Sequence, residues 1–210
     1  MSAALPNILI CGTPGCGKTS LCELTRERVG FAVINVGEIV RTRGLHAGRD
    51  AATDAFLIDE ASEDRIVDEL DARMRAGGNV LEHHSVDFFP ERWFDLVLCL
   101  RTDNTVLFDR LVKRCLGGFV RAAQWRATGS KQHPPDLFPP TFPNRGYAPA
   151  KITENVEAEI MGVVAEEARE SYRAEIVHEL QSNTLEDLEG NADRVVAWVT
   201  QWKAERAAAR

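Results

Sequence analysis

An octapeptide near the start of the chain constrains the fold more than any other feature of the sequence. Residues 12–19 read GTPGCGKT and match the pattern G-x-x-x-x-G-K-[ST] in full. The apolar run NILIC at 7–11 precedes them, and a helical pattern follows. A glycine-rich turn between a strand and a helix points backbone N–H groups at one centre, where the helix also presents its positive end. The sequence therefore predicts a phosphate-binding loop on an α/β fold.

The same turn carries side chains suited to nucleoside phosphates. Lys18 has the charge and reach to bridge the terminal phosphates of a triphosphate, and the Thr19 hydroxyl suits the ligand shell of Mg²⁺. Contacts with a nucleoside triphosphate, which the family resemblance given below implies to be ATP, are predicted at Gly15, Cys16, Gly17, Lys18, Thr19 and Ser20. The loop indicates where phosphate is held and leaves open what receives it.

Short apolar runs and longer helical patterns alternate along the chain. The apolar runs are too short for helices and lack polar alternation, which is typical of parallel strands buried on both faces. Helical periodicity is expected over 63–76, 103–114 and 191–206. This βαβ alternation predicts an α/β fold with a parallel sheet. The predicted strands are 7–11, 32–36, 79–82, 96–100 and 175–180.

Two segments interrupt this alternation. Residues 37–60 are rich in charge and poor in strand signal, and a small helical flap is expected there. Residues 115–150 contain six of the nine prolines, so regular structure is not expected. A connection longer than about 15 residues is usually a functional lid or an insert.

The charge of the chain is unevenly distributed. Lys and Arg number 25 against 32 Asp and Glu, a net charge of −7, which argues against a protein that coats nucleic acid with its whole surface. Residues 114–146 nevertheless hold five basic residues and one acidic residue. Two interpretations stay open for this basic segment: a weak contact with RNA or an acidic partner, or a loop without a partner.

The cysteines and the N-terminal residues predict a soluble intracellular protein. The five cysteines form no CxxC pair, which favours reduced thiols. The first residues lack a basic stretch followed by a long apolar stretch, so no signal peptide is expected. No apolar run approaches the roughly 20 residues that span a bilayer, and no membrane association is predicted.

Polar residues beyond the loop offer further candidates. Glu82 closes the third predicted strand, at the sheet edge where ligands bind in such folds, and can face Thr19 across the Mg²⁺ shell. A surface acid at the strand end is the alternative. His83 and His84 follow Glu82, and either can be structural. Arginine suits bidentate phosphate contacts, although most surface arginines are solvated; the candidates are Arg41, Arg43, Arg92 and Arg101.

Several motifs taken together resemble one family, the adenylate kinase isoenzyme 6 family. The likeness covers nearly the whole chain apart from roughly 30 residues between Arg114 and Arg145. The fold that this resemblance implies is a P-loop NTPase three-layer sandwich, whose five-stranded parallel sheet has the order 2-3-1-4-5. The motifs that carry it are GTPGCGKTS, INVGEIVR, IDEASEDRIVDELD, DFFPERW, LRTD and RGYAPAKITENVEAEI.

The resemblance also implies a division of the single kinase domain into three parts. The core would comprise 1–34, 61–113 and 151–210, the flap that binds the monophosphate 35–60, and the lid 114–150. Relatives have a short lid turn with Arg-Gly-Tyr, whereas here this tripeptide follows a proline-rich insert. Either Arg114 or Arg145 would be the lid arginine that contacts ATP, with Arg145 slightly favoured because RGYAPAKITEN continues the family pattern without a gap.

Further site residues follow from the resemblance. Glu82 and His84 fall on an acidic-x-His motif linked to the metal and to ATP hydrolysis, where many relatives have Asp as the acid. The catalytic set would be Lys18, Glu82, His84 and Arg92, with Thr19 and Glu82 at the metal. AMP would be bound by Asn35, Val36, Gly37, Arg41 and Arg92, and the loop at Asn183 and Thr184 would border the adenine of ATP.

The activity that the resemblance implies is the reaction of Mg²⁺-bound ATP with AMP to give two ADP, accompanied by ATPase activity. It also implies a role in small ribosomal subunit maturation, with a small-subunit ribosomal protein and the pre-40S particle as partners, in the nucleus and the cytoplasm. Two alternatives stay open. One is an ATPase assembly factor whose kinase activity is secondary, and the other is a shikimate-type metabolite kinase, against which DFFPERW argues.

Overall fold

Strands and helices alternate along the chain as the sequence predicts. The computed structural model describes residues 5–50, 55–114 and 149–208. The strands are β1 (Ile8–Gly12), β2 (Ala32–Asn35), β3 (Gly48–Arg49), β4 (Phe56–Leu57), β5 (Asn79–Glu82), β6 (Leu96–Arg101) and β7 (Val177–Gln181). The helices are α1 (Lys18–Val29), α2 (Val36–Arg43), α3 (Glu60–Ala76), α4 (104–114), α5 (Pro149–Met161), α6 (Val163–Ser171) and α7 (Leu185–Ala208), with a 3₁₀ turn at Glu91–Trp93.

Five parallel strands form the central sheet in the order β2-β5-β1-β6-β7. Counted among the strands of this sheet alone, the order is 2-3-1-4-5, which confirms the prediction. Register places Asn35 of β2 beside Glu82 of β5, and Gly12 of β1 beside Leu100 of β6. The carboxyl ends of these strands therefore meet at one edge, where α/β sheets bind ligands.

Helices cover both faces of the sheet, because the strands are apolar on both sides. In β1, Ile8 and Ile10 face one apolar cluster, while Leu9 and Cys11 face the other. The first cluster includes side chains of α1, α4 and α7, and the second includes side chains of α2, α3 and α6. Burial of each such side chain contributes about 2 kcal/mol. The result is the expected three-layer sandwich.

Capping residues set several element boundaries that periodicity places a few residues away. Helix α3 begins at Glu60, not at 63, because the Asp59 carboxylate accepts the Ser62 N–H at 3.0 Å. The strand expected over 32–36 ends at Asn35, whose side chain caps α2. Helix α7 extends over Leu185–Ala208, beyond the predicted 191–206. Helix α5 begins at Pro149, inside the segment expected to be irregular through 150, since proline is well suited to a first helical position.

The flap differs from the helical expectation in its second half. Helix α2 ends where Gly44 adopts a left-handed conformation, with φ of 66°. Strands β3 and β4 then form an antiparallel pair, in which Gly48 faces Leu57 and Arg49 faces Phe56. The helical prediction for 37–60 is therefore wrong for this hairpin, because strands of two residues carry no periodic signal.

The remaining predictions about organisation concern the lid and the thiols. Residues 115–148, which hold most of the predicted lid and all of the expected proline-rich insert, lie outside the described residues. Of the helices that the structure describes, none combines the length and the apolar character needed to cross a membrane. Four cysteines of the described chain are free and buried, namely Cys11, Cys16, Cys22 and Cys99.

Candidate active site

The loop between β1 and α1 is shaped by glycines at positions where a side chain would clash. Gly12 and Gly15 have φ of 137° and 109°, a region that disfavours side chains. A Cβ on Gly12 would lie 2.6 Å from the carbonyl oxygen of Leu100, and one on Gly15 would lie 2.6 Å from Cδ1 of Leu107. The loop therefore packs closely against β6 and α4, which fixes its curved path.

Lys18, the first residue of α1, places a positive charge inside this loop. Its ammonium nitrogen donates to the carbonyl oxygens of Gly12 at 2.7 Å and Thr13 at 3.2 Å. The side chain is 9 % exposed. A buried ammonium beside the helix N-terminus and the inward-facing loop forms a site for anionic phosphate.

A carboxylate at the end of β5 connects three elements of the site. Glu82 is 8 % exposed, and its Oε1 accepts the Thr19 hydroxyl of α1 at 2.6 Å. Its Oε2 accepts the Asn35 side-chain amide from β2 at 2.9 Å. The register of the sheet brings Asn35 and Glu82 together, because they are direct partners across β2 and β5. The structure thus brings together three of the predicted residues.

The donor set at Thr19 and Glu82 fits Mg²⁺. The ion prefers hard oxygen ligands, and with nucleotides it takes one or two from protein and the rest from phosphates and water. A hydroxyl and a carboxylate 2.6 Å apart, beside the phosphate loop, supply such a pair. Within the described residues, no group of three or more His, Cys, Asp or Glu side chains is placed to hold a metal ion. The site therefore suits a metal that arrives with phosphate.

Asn35 joins the site to the flap. While its amide N–H₂ donates to Glu82, its Oδ1 accepts the Glu38 backbone N–H at 2.9 Å and caps α2. Val36 and Gly37, the other predicted AMP contacts at this position, are the first two residues of that helix. The start of the flap is thereby held against the carboxylate that also binds the P-loop.

The two arginines predicted to bind AMP lie apart from this cluster. Arg41 is on the exposed side of α2, with Glu38 Oε1 at 3.9 Å from its guanidinium. Arg92, in the 3₁₀ turn, is 67 % exposed and lies 3.3 Å from Asp71 of α3. In the described structure neither is hydrogen bonded to the P-loop or to Glu82. Flaps of kinases close on their substrates, and the role of both arginines stays a prediction.

The two histidines after Glu82 occupy different environments. His83 is buried against Phe88 and Phe89, and burial lowers the pKa of its ring to about 4, so it is neutral at pH 7. His84 is exposed, with its ring 4.4 Å from that of His83. His83 is therefore a core residue, whereas His84, the histidine of the predicted motif, is exposed to solvent.

The loop between β7 and α7 lies beside the P-loop, and the contact of its residues Asn183 and Thr184 with adenine stays a prediction. The Ser182 hydroxyl donates to the Cys16 carbonyl oxygen at 2.7 Å. The backbone N–H groups of Asn183 and Thr184 both donate to Asp187, which lowers the pKa of that carboxyl. The Ser182 bond holds the loop against the P-loop, and the bonds to Asp187 fix the loop at the start of α7.

Arg110 of α4 also holds this loop, a role that sequence reasoning missed. Its guanidinium donates to the carbonyl oxygens of Ser182 and Asn183, each at 2.8 Å. The signal that could have found it is its place one turn before Arg114 on the helix predicted to lead into the lid. Arg114 is exposed at the last described position of α4, and Arg145 lies outside the described residues, so the choice between them stays open.

Arg101, a candidate phosphate ligand in the sequence, is engaged in ion pairs instead. Its guanidinium contacts Glu159 at 2.9 Å and Glu179 at 3.1 Å. Glu159 is 3 % exposed and also bonds to the P-loop. Sequence reasoning missed this acid, although Ile152, Asn155 and Glu159 recur at helical spacing and form the buried side of α5.

The sheet order, the loop and the buried lysine define a P-loop phosphotransferase with a kinase-like fold. Solved structures of similar fold include the shikimate kinase of Bacteroides thetaiotaomicron, with a TM-score of 0.52, 14 % identity, and coverage of 93 % of this chain and 98 % of that one. A sugar kinase from Janibacter has a TM-score of 0.53 with 11 % identity, covering 93 % and 95 %. At such identities the likeness concerns the fold alone.

Sequence comparison identifies the family. An AAA domain family model matches residues 8–116. The adenylate kinase isoenzyme 6 homolog of Dictyostelium discoideum is 40 % identical over 94 % of this chain and 93 % of its own length. The homologs of Schizosaccharomyces pombe and Saccharomyces cerevisiae are 38 % and 36 % identical, over 95 % and 94 % of this chain and 94 % and 83 % of theirs. The chain belongs to the adenylate kinase isoenzyme 6 family.

Proposed function

We propose that the protein transfers the γ-phosphoryl group of ATP to AMP and forms two molecules of ADP. The observation that carries the proposal is the hydrogen-bonded line from Thr19 through Glu82 to Asn35. It joins the loop that would hold ATP to the first helix of the flap that would hold AMP. Phosphoryl transfer between two nucleotides depends above all on their mutual placement, and a shared carboxylate supplies a fixed reference for both.

The reaction requires positive charge around the phosphates and correct placement of the two nucleotides, and it involves no covalent enzyme intermediate. An oxygen of the AMP phosphate bonds to the γ-phosphorus, and the bond from that phosphorus to the β–γ bridging oxygen breaks, with its electrons, to release ADP. Lys18 would neutralise the transferring group, and Arg41 and Arg92 would hold the acceptor phosphate once the flap closes. When bound, Mg²⁺ supplies further neutralisation of the phosphates, with Thr19 and Glu82 as its protein ligands.

ATPase activity would follow from the same site when water replaces AMP. Closure of flap and lid keeps water from the γ-phosphorus, so incomplete closure favours hydrolysis. His84 follows Glu82 by two residues and is exposed to solvent, which supports a role in ATP hydrolysis. The protein would thus turn over ATP slowly alone and faster with AMP.

A coupled assay of ADP formation tests the kinase proposal. With ATP and Mg²⁺ present, AMP should raise the rate at least about tenfold above the rate with ATP alone, because the acceptor is positioned and water is excluded. Shikimate and gluconate serve as control acceptors and should give no increase. Equal rates with and without AMP would contradict the kinase proposal and leave an ATPase, whereas an increase with shikimate would favour a metabolite kinase.

As a second function we propose a role in small ribosomal subunit maturation, exercised in the nucleus and the cytoplasm. The support is the basic segment 114–146, whose positive charge contrasts with the acidic remainder and suits RNA or an acidic protein surface. The ATP cycle would load and release a small-subunit ribosomal protein on the pre-40S particle. In the alternative to the kinase proposal, this cycle is the main function and the kinase activity is secondary.

Capture of small-subunit ribosomal protein on the immobilised chain tests this second function. Binding should change with ATP, and deletion of 116–143 should weaken the association while AMP-dependent turnover continues, because the deleted residues would contact the partner and not the nucleotides. Capture that is insensitive to ATP would contradict an ATP-driven cycle. Loss of turnover on deletion would instead assign the segment to the catalytic lid.

A further inference from the structure

A buried carboxylate on α5 reaches across the molecule to the phosphate-binding loop. Oε2 of Glu159 accepts the Thr13 hydroxyl at 2.5 Å and the Cys16 thiol at 3.6 Å. Its Oε1 accepts the Arg101 side-chain Nε–H and the Thr102 backbone N–H, each at 2.9 Å. One side chain therefore joins the loop, the end of β6 and the helix that follows the lid segment.

Because the Glu159 carboxylate is buried, it needs partners that compensate its charge. An uncompensated carboxylate in the interior is strongly unfavourable, and Glu159 is compensated by Arg101 together with three further hydrogen bonds. Burial, followed by the Glu159 charge, raises the pKa of Cys16 to about 11. The thiol therefore keeps its proton at neutral pH and donates a hydrogen bond to the carboxylate.

The two loop residues that Glu159 binds span the turn facing phosphate. The Cys16 backbone N–H donates to the Thr13 carbonyl oxygen at 3.1 Å and closes that turn. The same carbonyl accepts the Lys18 ammonium at 3.2 Å. Thr13 is thus held by Glu159 through its side chain and by Lys18 through its backbone, so displacement of Thr13 would also displace the lysine charge.

We propose that Glu159 is a positioning residue for the phosphates of ATP, acting through Thr13 and Cys16 to hold the loop in its binding conformation. The inference rests on the proposed function to the extent that ATP is the ligand of the loop. Because Glu159 lies on α5, directly after the predicted lid, the same carboxylate ties the position of that helix to the phosphate site. If Glu159 served only to attach α5 to the end of β6, its bonds with Arg101 and Thr102 would be sufficient. Its bonds with Thr13 and Cys16 would then have no purpose.

Paired substitutions at Thr13 and Glu159 separate positioning from bracing. Thr13→Val removes the hydroxyl and keeps the shape, while Thr13→Ser keeps the hydroxyl. Glu159→Gln retains an acceptor for Arg101 and replaces the oxygen that binds Thr13 by an N–H₂ group. Glu179→Gln is the control, because Glu179 contacts the far side of Arg101 without touching the loop. Affinities for Mg²⁺-bound ATP and for AMP are measured by calorimetry, together with the melting temperature.

Thr13→Val and Glu159→Gln should each weaken ATP binding about five- to tenfold, since the first removes the hydrogen bond between the two residues and the second removes the charge that strengthens it. The double variant should bind ATP no more than about twofold more weakly than the weaker-binding single variant, because both substitutions affect the same interaction between Thr13 and Glu159. AMP affinity should change by less than about twofold in all variants, and Thr13→Ser and Glu179→Gln should bind ATP like the unmodified protein.

Three results would overturn the proposal. Equal weakening of ATP and AMP binding would indicate general structural damage. Weakening by Glu159→Gln without weakening by Thr13→Val, or additive effects in the double variant, would show that Glu159 does not act through Thr13. Should Glu159→Gln fail to fold, the ATP affinities of Thr13→Val and Thr13→Ser still show whether the Thr13 hydroxyl is needed for ATP binding. Absence of AMP-dependent turnover in the unmodified protein would refute the kinase function alone, because the ATP affinities do not depend on turnover.

Discussion

Replacement of Lys18 by alanine should lower the turnover number for ADP formation by about a thousandfold or more, the range seen when a preorganised charge at a transferring group is lost. The ammonium is buried and bonded to two loop carbonyls, so its charge is held at one position in the phosphate-binding loop. The substitution also leaves the Gly12 and Thr13 carbonyl oxygens without the ammonium that donates to them. ATP binding should weaken as well, since the positive charge that attracts the phosphates is lost.

Steady-state kinetics with ATP and AMP, together with circular dichroism, measure this loss. Lys203→Ala is the matched control, because it removes a lysine from the exposed surface of α7 and should leave the turnover number unchanged. Lys18→Arg should not restore activity, since the planar guanidinium is larger than the ammonium and the Lys18 side chain is buried in the loop. Retention of more than about a tenth of the activity in Lys18→Ala would place the essential charge elsewhere.

The sequence was sufficient to predict the sheet, because buried parallel strands leave continuous apolar runs. All five predicted strands are present, within two residues of their expected bounds, and their order follows from the family resemblance. The flap hairpin β3–β4 could not be predicted in this way. Its strands have two residues each, which is too short to show the alternation or the apolar run that identifies a strand in a sequence.

In the candidate site, too, residues that belong to a local sequence motif could be predicted, and residues that depend on distant partners could not. Residues within one motif were predictable, since GTPGCGKT fixes the spacing of Lys18 and Thr19. Glu82 was open to a second interpretation as a surface acid, and only its hydrogen bonds with Thr19 and Asn35 place it within the site. Arg110 and Glu159 were missed, because their roles depend on partners 72 and 146 residues away.

Glu82→Gln should reduce the turnover number by about a hundredfold and raise the Mg²⁺ concentration needed for half-maximal activity. The amide still reaches Thr19 and Asn35 with one acceptor and one donor group, so the fold should persist. What is removed is the negative charge that fits the metal. Excess Mg²⁺ should therefore recover part of the activity.

Glu82→Asp and Glu91→Gln complete the comparison. The aspartate keeps the charge and draws the carboxylate back by one methylene group, so it should fall between the unmodified protein and Glu82→Gln in its Mg²⁺ requirement. Glu91 forms an exposed ion pair with Arg173, and such pairs contribute little, so Glu91→Gln should have no effect. If Glu82→Gln loses activity with an unchanged Mg²⁺ requirement, the carboxylate serves to align Thr19 with Asn35. The shared position of the two nucleotides, and not the metal, would then be what Glu82 controls.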